Sequence, residues 1–231
     1  MTVSYLMNTI DRFDITPAVT KKNQSNAGRP INRFIITDNG STDQRIKRWA
    51  GTFAHKYIEN AENIGNAQAF NNALDLVNTD IIVIAGNDIE LPHLWLSEAI
   101  KMLADPKVGL IGYNWRGKAQ KYDGEYGQLN LPAKGGNVFG TWVFHKRLFK
   151  KLGYLNEWSK YGLWDGAYCK RAEDAGFING YLKGFDSKHL GEDVGEDSEY
   201  RKMKNREMKK AKKGFTAYTK GRPENYYVGA H

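Results

Sequence analysis

The chain has a single cysteine, Cys169, among 231 residues. That excludes an intramolecular disulfide and any zinc cluster built on several thiolates, and it suits a reducing compartment. No run of about 18 apolar residues is present, the length a membrane-spanning helix needs. The opening Met1-Thr2-Val3-Ser4-Tyr5 lacks the basic and apolar regions of a secretory signal, so the expected location is the cytoplasm. A Gly-x-Gly-x-x-Gly after the first expected strand and a Walker loop are both missing, which argues against dinucleotide enzymes and P-loop nucleoside triphosphatases. No internal repeat is found. What is there is ordinary in bulk: 41% hydrophobic and 26% charged residues describe a soluble α/β chain able to bury a full core.

The first half alternates strand and helix patterns. Val3 to Asn8 and Arg33 to Thr37 read as strands, separated by a helix-length stretch and a polar loop from Asn23 to Pro30. Ala54 to Ile58 reads as a third strand. Asn63 to Val77 has helical apolar spacing, and Asp80 to Ala85 is a short, nearly continuous apolar run of the kind found in buried parallel strands. Pro92 is placed to open a helix reaching Leu103, and Val108 to Tyr113 reads as a further strand. Asn114 to Gly136 lacks periodicity and predicts a long loop or hairpin of functional character. A strand at 137–144, helices at 146–152 and 165–175, and a strand at 179–185 complete the pattern. A mostly parallel sheet with helices on its faces follows.

Charge is unevenly placed. Arg201, Lys202, Lys204, Arg206, Lys209, Lys210, Lys212 and Lys213 set eight positive charges against the one acid Glu207, in a chain of net charge +8. The reading is a catalytic unit over residues 1–199 and a basic, helical extension over 200–231, tyrosine-rich and irregular beyond Lys213. Such a block is either a solvated helix face or a patch that attracts nucleic acid, anionic lipid or a polyanionic acceptor, giving peripheral contact with an anionic surface. The extension is expected to contribute little to the fold.

Several segments carry chemistry. The strand Phe34-Ile35-Ile36-Thr37 runs into Asp38-Asn39-Gly40-Ser41-Thr42-Asp43, placing a carboxylate at the edge where open α/β sheets bind nucleotides. The same polar residues also build strand-to-helix turns and cap helices. Asn87-Asp88-Ile89-Glu90 follows the apolar strand, so its acids emerge at the same edge; two oxygen ligands of this kind suit Mg²⁺ or Mn²⁺. From Asn60 to Ala73, Gly65 permits a tight turn before a helix whose N-terminus offers N–H groups to an anion, with Asn63 either a cap or a ligand contact and Asn71 further along. Trp164-Asp165 opens a later helix, and a carboxylate shielded by Trp164 and Trp158 would have its pKa raised toward that of a useful base; Asp165 is otherwise a simple cap. His189 follows the last strand. Thr9, Asp11 and Arg12 end the first one, where an ordinary turn is the alternative.

In order and spacing these segments resemble the family 2 glycosyltransferases of the GT-A fold, over approximately residues 1 to 195. The resemblance implies a Rossmann-like, mixed but mostly parallel sheet flanked by helices. It implies that Asp38 contacts the base of a sugar nucleotide, with Thr9, Asp11 and Arg12 beside the nucleoside and Asn63, Gly65 and Asn71 lining the donor pocket. Asp88, Glu90 and His189 would hold Mn²⁺ or Mg²⁺, and Asp165 would be the general base. The block from Gly135 to Glu157 matches the acceptor region, and Trp164 stands among substrate contacts where relatives carry Glu. Gly86 likewise replaces the first acid of the family's Asp-x-Asp metal motif. The implied activity is metal-dependent, inverting transfer of a sugar from a nucleotide-sugar donor, a UDP-sugar first, to a hydroxyl of a glycan, a lipid-linked sugar or a modified DNA base. Sugar nucleotidyltransferases are a rival class, but their Gly-x-Gly-x-Arg loop is missing. The two departures also leave a non-catalytic alternative, a degenerate domain that binds sugar nucleotide or nucleic acid.

Overall fold

A computed structural model describes residues 1–115, 121–133, 137–191 and 199–220. Strands β1 (Val3–Thr9), β2 (Arg33–Asn39), β3 (Lys56–Asn60) and β4 (Ile81–Ala85) alternate with helices α1 (Thr16–Asn26), α2 (Gln44–Phe53) and α3 (Asn66–Leu74). A two-residue strand β5 (Ile89–Glu90), helix α4 (Trp95–Met102) and strand β6 (Val108–Trp115) follow. Then come the hairpin of β7 (Tyr122–Tyr126) and β8 (Leu129–Pro132), strand β9 (Trp142–His145), α5 (Lys146–Leu152), α6 (Trp164–Asp174), β10 (Ile178–His189) and α7 (Glu199–Thr219).

The sheet runs β3-β2-β1-β4-β9-β6-β10-β8-β7. β1 to β4 are parallel, β9 is antiparallel to both its neighbours, and β10 is again parallel to β6. β1 and β4 are buried along their whole length, as strands covered on both faces must be. Alternation along β1 explains the two cores. Tyr5 and Met7 join Phe34, Ile36, Val83 and Trp95 on the face covered by α1, α2 and α4. Leu6 joins Ile35, Ile82, Trp142 and Tyr168 on the face covered by α3, α5 and α6.

Several expected boundaries move, for identifiable reasons. α1 continues through Asn23, placed above in a loop, because that side chain is fully paired inside the core: it donates to the Ile89 carbonyl at 2.8 Å and accepts from the Leu91 amide at 2.8 Å. The same bonds hold 89–91 extended, so α4 begins at Trp95 rather than Pro92, after Leu94 in the left-handed region. β3 starts two residues later than the expected Ala54. The expected strand at 137–144 is confined to Trp142–His145, since Tyr181 Oη accepts from the Phe139 amide and donates to the Asn137 carbonyl, pulling 137–139 off the ladder. The hairpin alternative for 114–136 holds for β7 and β8, while 116–120 and 134–136 lie outside the described residues.

α7 passes the expected end at Lys213 and reaches Thr219; the tyrosine-rich residues 221–231 lie outside the described residues. Its inner side is packed, against the expectation of a weakly attached extension. Ala211 is fully buried, and Glu207 accepts the Lys160 amide at 3.0 Å. Gly214 lies against the Trp158 ring, where a Cβ would stand 2.8 Å away.

Candidate active site

The parallel strands β2, β1 and β4 end side by side, and their C-terminal ends carry Asp38, Thr9 and the 86–88 turn. Thr9 and Asp38 are register partners. Asp38 is fully buried, with Oδ1 accepting from the Ser41 amide at 2.9 Å and Oδ2 from Tyr57 Oη at 3.3 Å. Burial, and after it the Asp38 charge, pushes the Tyr57 phenol up, so the phenol stays a donor. Asp11, left-handed at φ 52°, accepts from the amides of Thr42 and Asp43 at 2.8 Å each, while its own amide donates to Ser41 Oγ at 2.7 Å. These bonds join the two turns into one platform. They direct Asp11 Oδ1 into the fold; Arg12 reaches Asp14 across 3.4 Å.

The helix after Gly65 is also committed to the fold. Asn63 Oδ1 accepts from Asn39 Nδ2 at 3.0 Å and from the Gly65 amide at 2.9 Å. Gly65 is at φ 100°, and a Cβ there would stand 2.7 Å from Lys160 Cα, so the glycine admits the 160 backbone. The first amide of α3, that of Asn66, donates to the Lys160 carbonyl. Asn71 donates to the Leu155 carbonyl and to Glu157 Oε1 and accepts from the Leu155 amide. The two side chains make different contacts: Asn71 locks the 155–157 segment onto α3, and Asn63 ties the turn before α3 to Asn39 of β2.

Across the edge, β5 pairs antiparallel with the end of β10, opposing Ile89 to His189 and Glu90 to Lys188. This pairing brings His189 Nε2 to 3.3 Å from Asp88 Oδ2. The Leu190 amide donates to the Asp88 carbonyl at 2.8 Å, and a Cβ on Gly191 would collide with the Asp88 carboxylate. The His189 ring stacks on Trp115, with centroids 4.7 Å apart, which fixes its plane. Glu90 points elsewhere and pairs with Lys22 at 2.7 Å, so it is not brought to Asp88. Among the described residues no group of three His, Cys, Asp or Glu side chains converges. A carboxylate oxygen and an imidazole nitrogen 3.3 Å apart at the strand edge nevertheless suit a divalent ion whose remaining ligands are water and phosphate oxygens.

Asp165 lies in the first turn of α6, after Leu163 in the left-handed region, and accepts from the Gly166 amide at 2.8 Å. Burial pushes its carboxyl above its ordinary value, although that backbone bond opposes the shift. The expected tryptophan shield takes another form. Trp164 turns into the core against Phe70 and Trp142, and Trp158 is held under α7. The 137–141 segment links the two halves of the site: Gly166 abuts Asn137, and Gly140 abuts Trp115, the ring that carries His189.

Residues 21–163 match the family model of glycosyl transferase family 2. The chain belongs to that family. Its fold is that of the GT-A glycosyltransferases. A mannosyltransferase from Pyrobaculum calidifontis, in complex with GDP-Man and Mn²⁺, is 22% identical with a TM-score of 0.63, and the match covers 84% of this chain and 58% of that one. S. aureus TarS is 16% identical with a TM-score of 0.67, covering 82% and 37%. GalNAc-T7, with UDP, GalNAc and Mn²⁺, is 8% identical with a TM-score of 0.64, covering 86% and 46%. This chain thus spans between about a third and three fifths of the length of these proteins. A comparison with curated proteins gives no match.

For a family 2 glycosyltransferase, this edge contains participants that sequence reasoning did not single out. Asn87 donates to Thr16 Oγ1 at 3.0 Å and to Thr9 Oγ1 at 3.4 Å, tying the Asp88 turn to β1. Trp115 supports His189, and Tyr57 supports Asp38. Only Asn87 had a visible signal, its place beside Asp88. No helix among the described residues is long and apolar enough to cross a membrane.

Proposed function

We propose that the chain transfers a sugar from a nucleotide-sugar donor to an acceptor hydroxyl, with a divalent metal and inversion at the anomeric carbon. The observation that carries this reading is the Asp88–His189 pair, built at the same sheet edge as Asp38 by the pairing of β5 with β10. The similar proteins include ones solved with GDP-Man and Mn²⁺ and with UDP-GlcNAc, which supports a nucleotide diphosphate at this edge.

Asp38 and Thr9, buried at the strand ends, underlie the platform braced by Asp11 on which the base and nucleoside would sit. Asp88 and His189 would hold a divalent ion, which would supply positive charge against the departing diphosphate. The acceptor oxygen forms its bond to the anomeric carbon as the bond to the diphosphate oxygen breaks, and Asp165 takes the hydroxyl proton. A carboxylate made more basic by burial is suited to that step. Glu90 has its own partner and is left out of the metal set. The exposed face of α7, with Lys202, Arg206, Lys209 and Lys213, supports recruitment of a polyanionic acceptor. Incubation with UDP- and GDP-sugars in Mn²⁺ tests the reading: release of nucleotide diphosphate from one donor, suppressed by EDTA, is expected, and no release from any donor counts against it.

A further inference from the structure

We propose that a cavity between α3, the 157–160 segment and α7 is a saccharide-binding subsite, occupied by a ring of the acceptor beyond the reacting hydroxyl. This assignment rests on the transferase reading. The cavity holds about 240 Å³ and lies between Gln68 of α3, the 157–160 segment, and Glu207 and Lys210 of α7. It is smaller than the roughly 300–1,000 Å³ of sites for drug-sized ligands and cofactors, which suits a single pyranose ring rather than a nucleotide.

Its chemistry is that of a neutral polyol. The carboxylates of Glu157 and Glu207 balance the ammonium groups of Lys160 and Lys210, so no net charge selects an anion. Gln68 and Ser159 add an amide and a hydroxyl, and Ile64 and Trp158 complete the lining, a mostly polar wall suited to a ring that carries several hydroxyls. The position is also built. Asn71 holds Glu157 at 2.6 Å, Glu207 holds the Lys160 amide, and Lys210 pairs with Glu207 at 2.6 Å. The same strand of chain continues through Gly162, which packs on Met208 of α7, into the Asp165 turn. A ring seated here is assigned to the acceptor because the segment that lines the cavity runs on into the turn that carries Asp165. α7 is a wall of this site, which is incomplete without it.

The test uses the whole chain and the methyl glycosides of glucose, galactose, mannose and N-acetylglucosamine as probes, read by saturation-transfer NMR without donor. At least one should show saturation transfer, and Gln68→Trp, an exposed position where the new indole fills the cavity, should abolish it with the melting temperature unchanged. Lys210→Met, which keeps the packing of the stem, should weaken the same binding about tenfold, the size of one lost hydrogen bond. Absence of transfer to all four glycosides, or transfer insensitive to Gln68→Trp, overturns the proposal. Nucleotide binding is measured on the same samples: its loss with glycoside binding intact would sink the transferase reading instead.

Discussion

Asn71 offers a clean contrast between a donor-pocket residue and a structural clamp. The residue is 6% exposed, and its side chain makes three hydrogen bonds to the 155–157 segment: to the Leu155 carbonyl at 3.0 Å, from the Leu155 amide at 2.9 Å, and to Glu157 at 2.6 Å. Asn71→Ala removes all three. Two neutral bonds are each worth about 1 kcal/mol and the one to a carboxylate somewhat more, so the expected loss is about 3 kcal/mol. For a chain of this size each kcal/mol moves the melting temperature by roughly 2–4 °C, giving a fall of about 6–12 °C in differential scanning fluorimetry. Calorimetry well below that transition should find nucleotide affinity within about twofold of wild type. A variant that melts within about 2 °C of wild type yet loses nucleotide binding more than tenfold would return Asn71 to the donor pocket and refute the clamp.

Asp88→Ala should abolish Mn²⁺-dependent binding of a nucleotide diphosphate in calorimetry, and His189→Ala should weaken it less; unchanged affinity in both would remove the ion from this pair. Asp165→Asn should leave donor binding intact and slow transfer at least about a hundredfold, the size of a lost general base. Because burial raises the Asp165 pKa, ionising it opposes folding: its favourable contribution is complete below the unfolded value, near 3.9, and is lost as pH rises through the folded value. Asp165→Asn should therefore melt no lower than wild type at pH 7, and wild-type transfer should fall as acid protonates this group; a flat acid limb would argue against it as base. Truncation after residue 198 uncovers the Trp158 ring and removes the Glu207 bond to Lys160, so the melting temperature should drop by several degrees; an unchanged value would make α7 a solvated appendage.

The parallel half of the sheet was legible because β1, β2 and β4 are apolar runs too short for helices and placed between helical patterns. The order of the motifs also pointed to one edge, since strands that pair in parallel must deliver Asp38 and Asp88 there. What the sequence could not show was which polar groups find each other. Asn23 reads as a loop residue until Ile89 and Leu91 are seen to bond it. Glu90 gives no sign of Lys22, and Asn63 and Asn71 give none of Asn39 and Leu155, the partners these side chains take in the fold. The basic segment hid its docking for a similar reason: the charges of exposed Lys202, Arg206, Lys209, Lys212 and Lys213 obscure Ala211 and Glu207, which are buried. Nonlocal pairing of this kind leaves no periodic trace.

The most direct test of the central claim is a titration of wild-type protein with UDP and with GDP, in Mn²⁺ and in EDTA, followed by melting temperature. At 100 times its dissociation constant the recognised nucleotide should add about 2.7 kcal/mol of stability, raising the transition by roughly 5–11 °C, with most of the rise lost in EDTA. No shift with either nucleotide in Mn²⁺, or a shift indifferent to EDTA, would contradict a metal-assisted nucleotide-sugar site at the Asp38 and Asp88 edge.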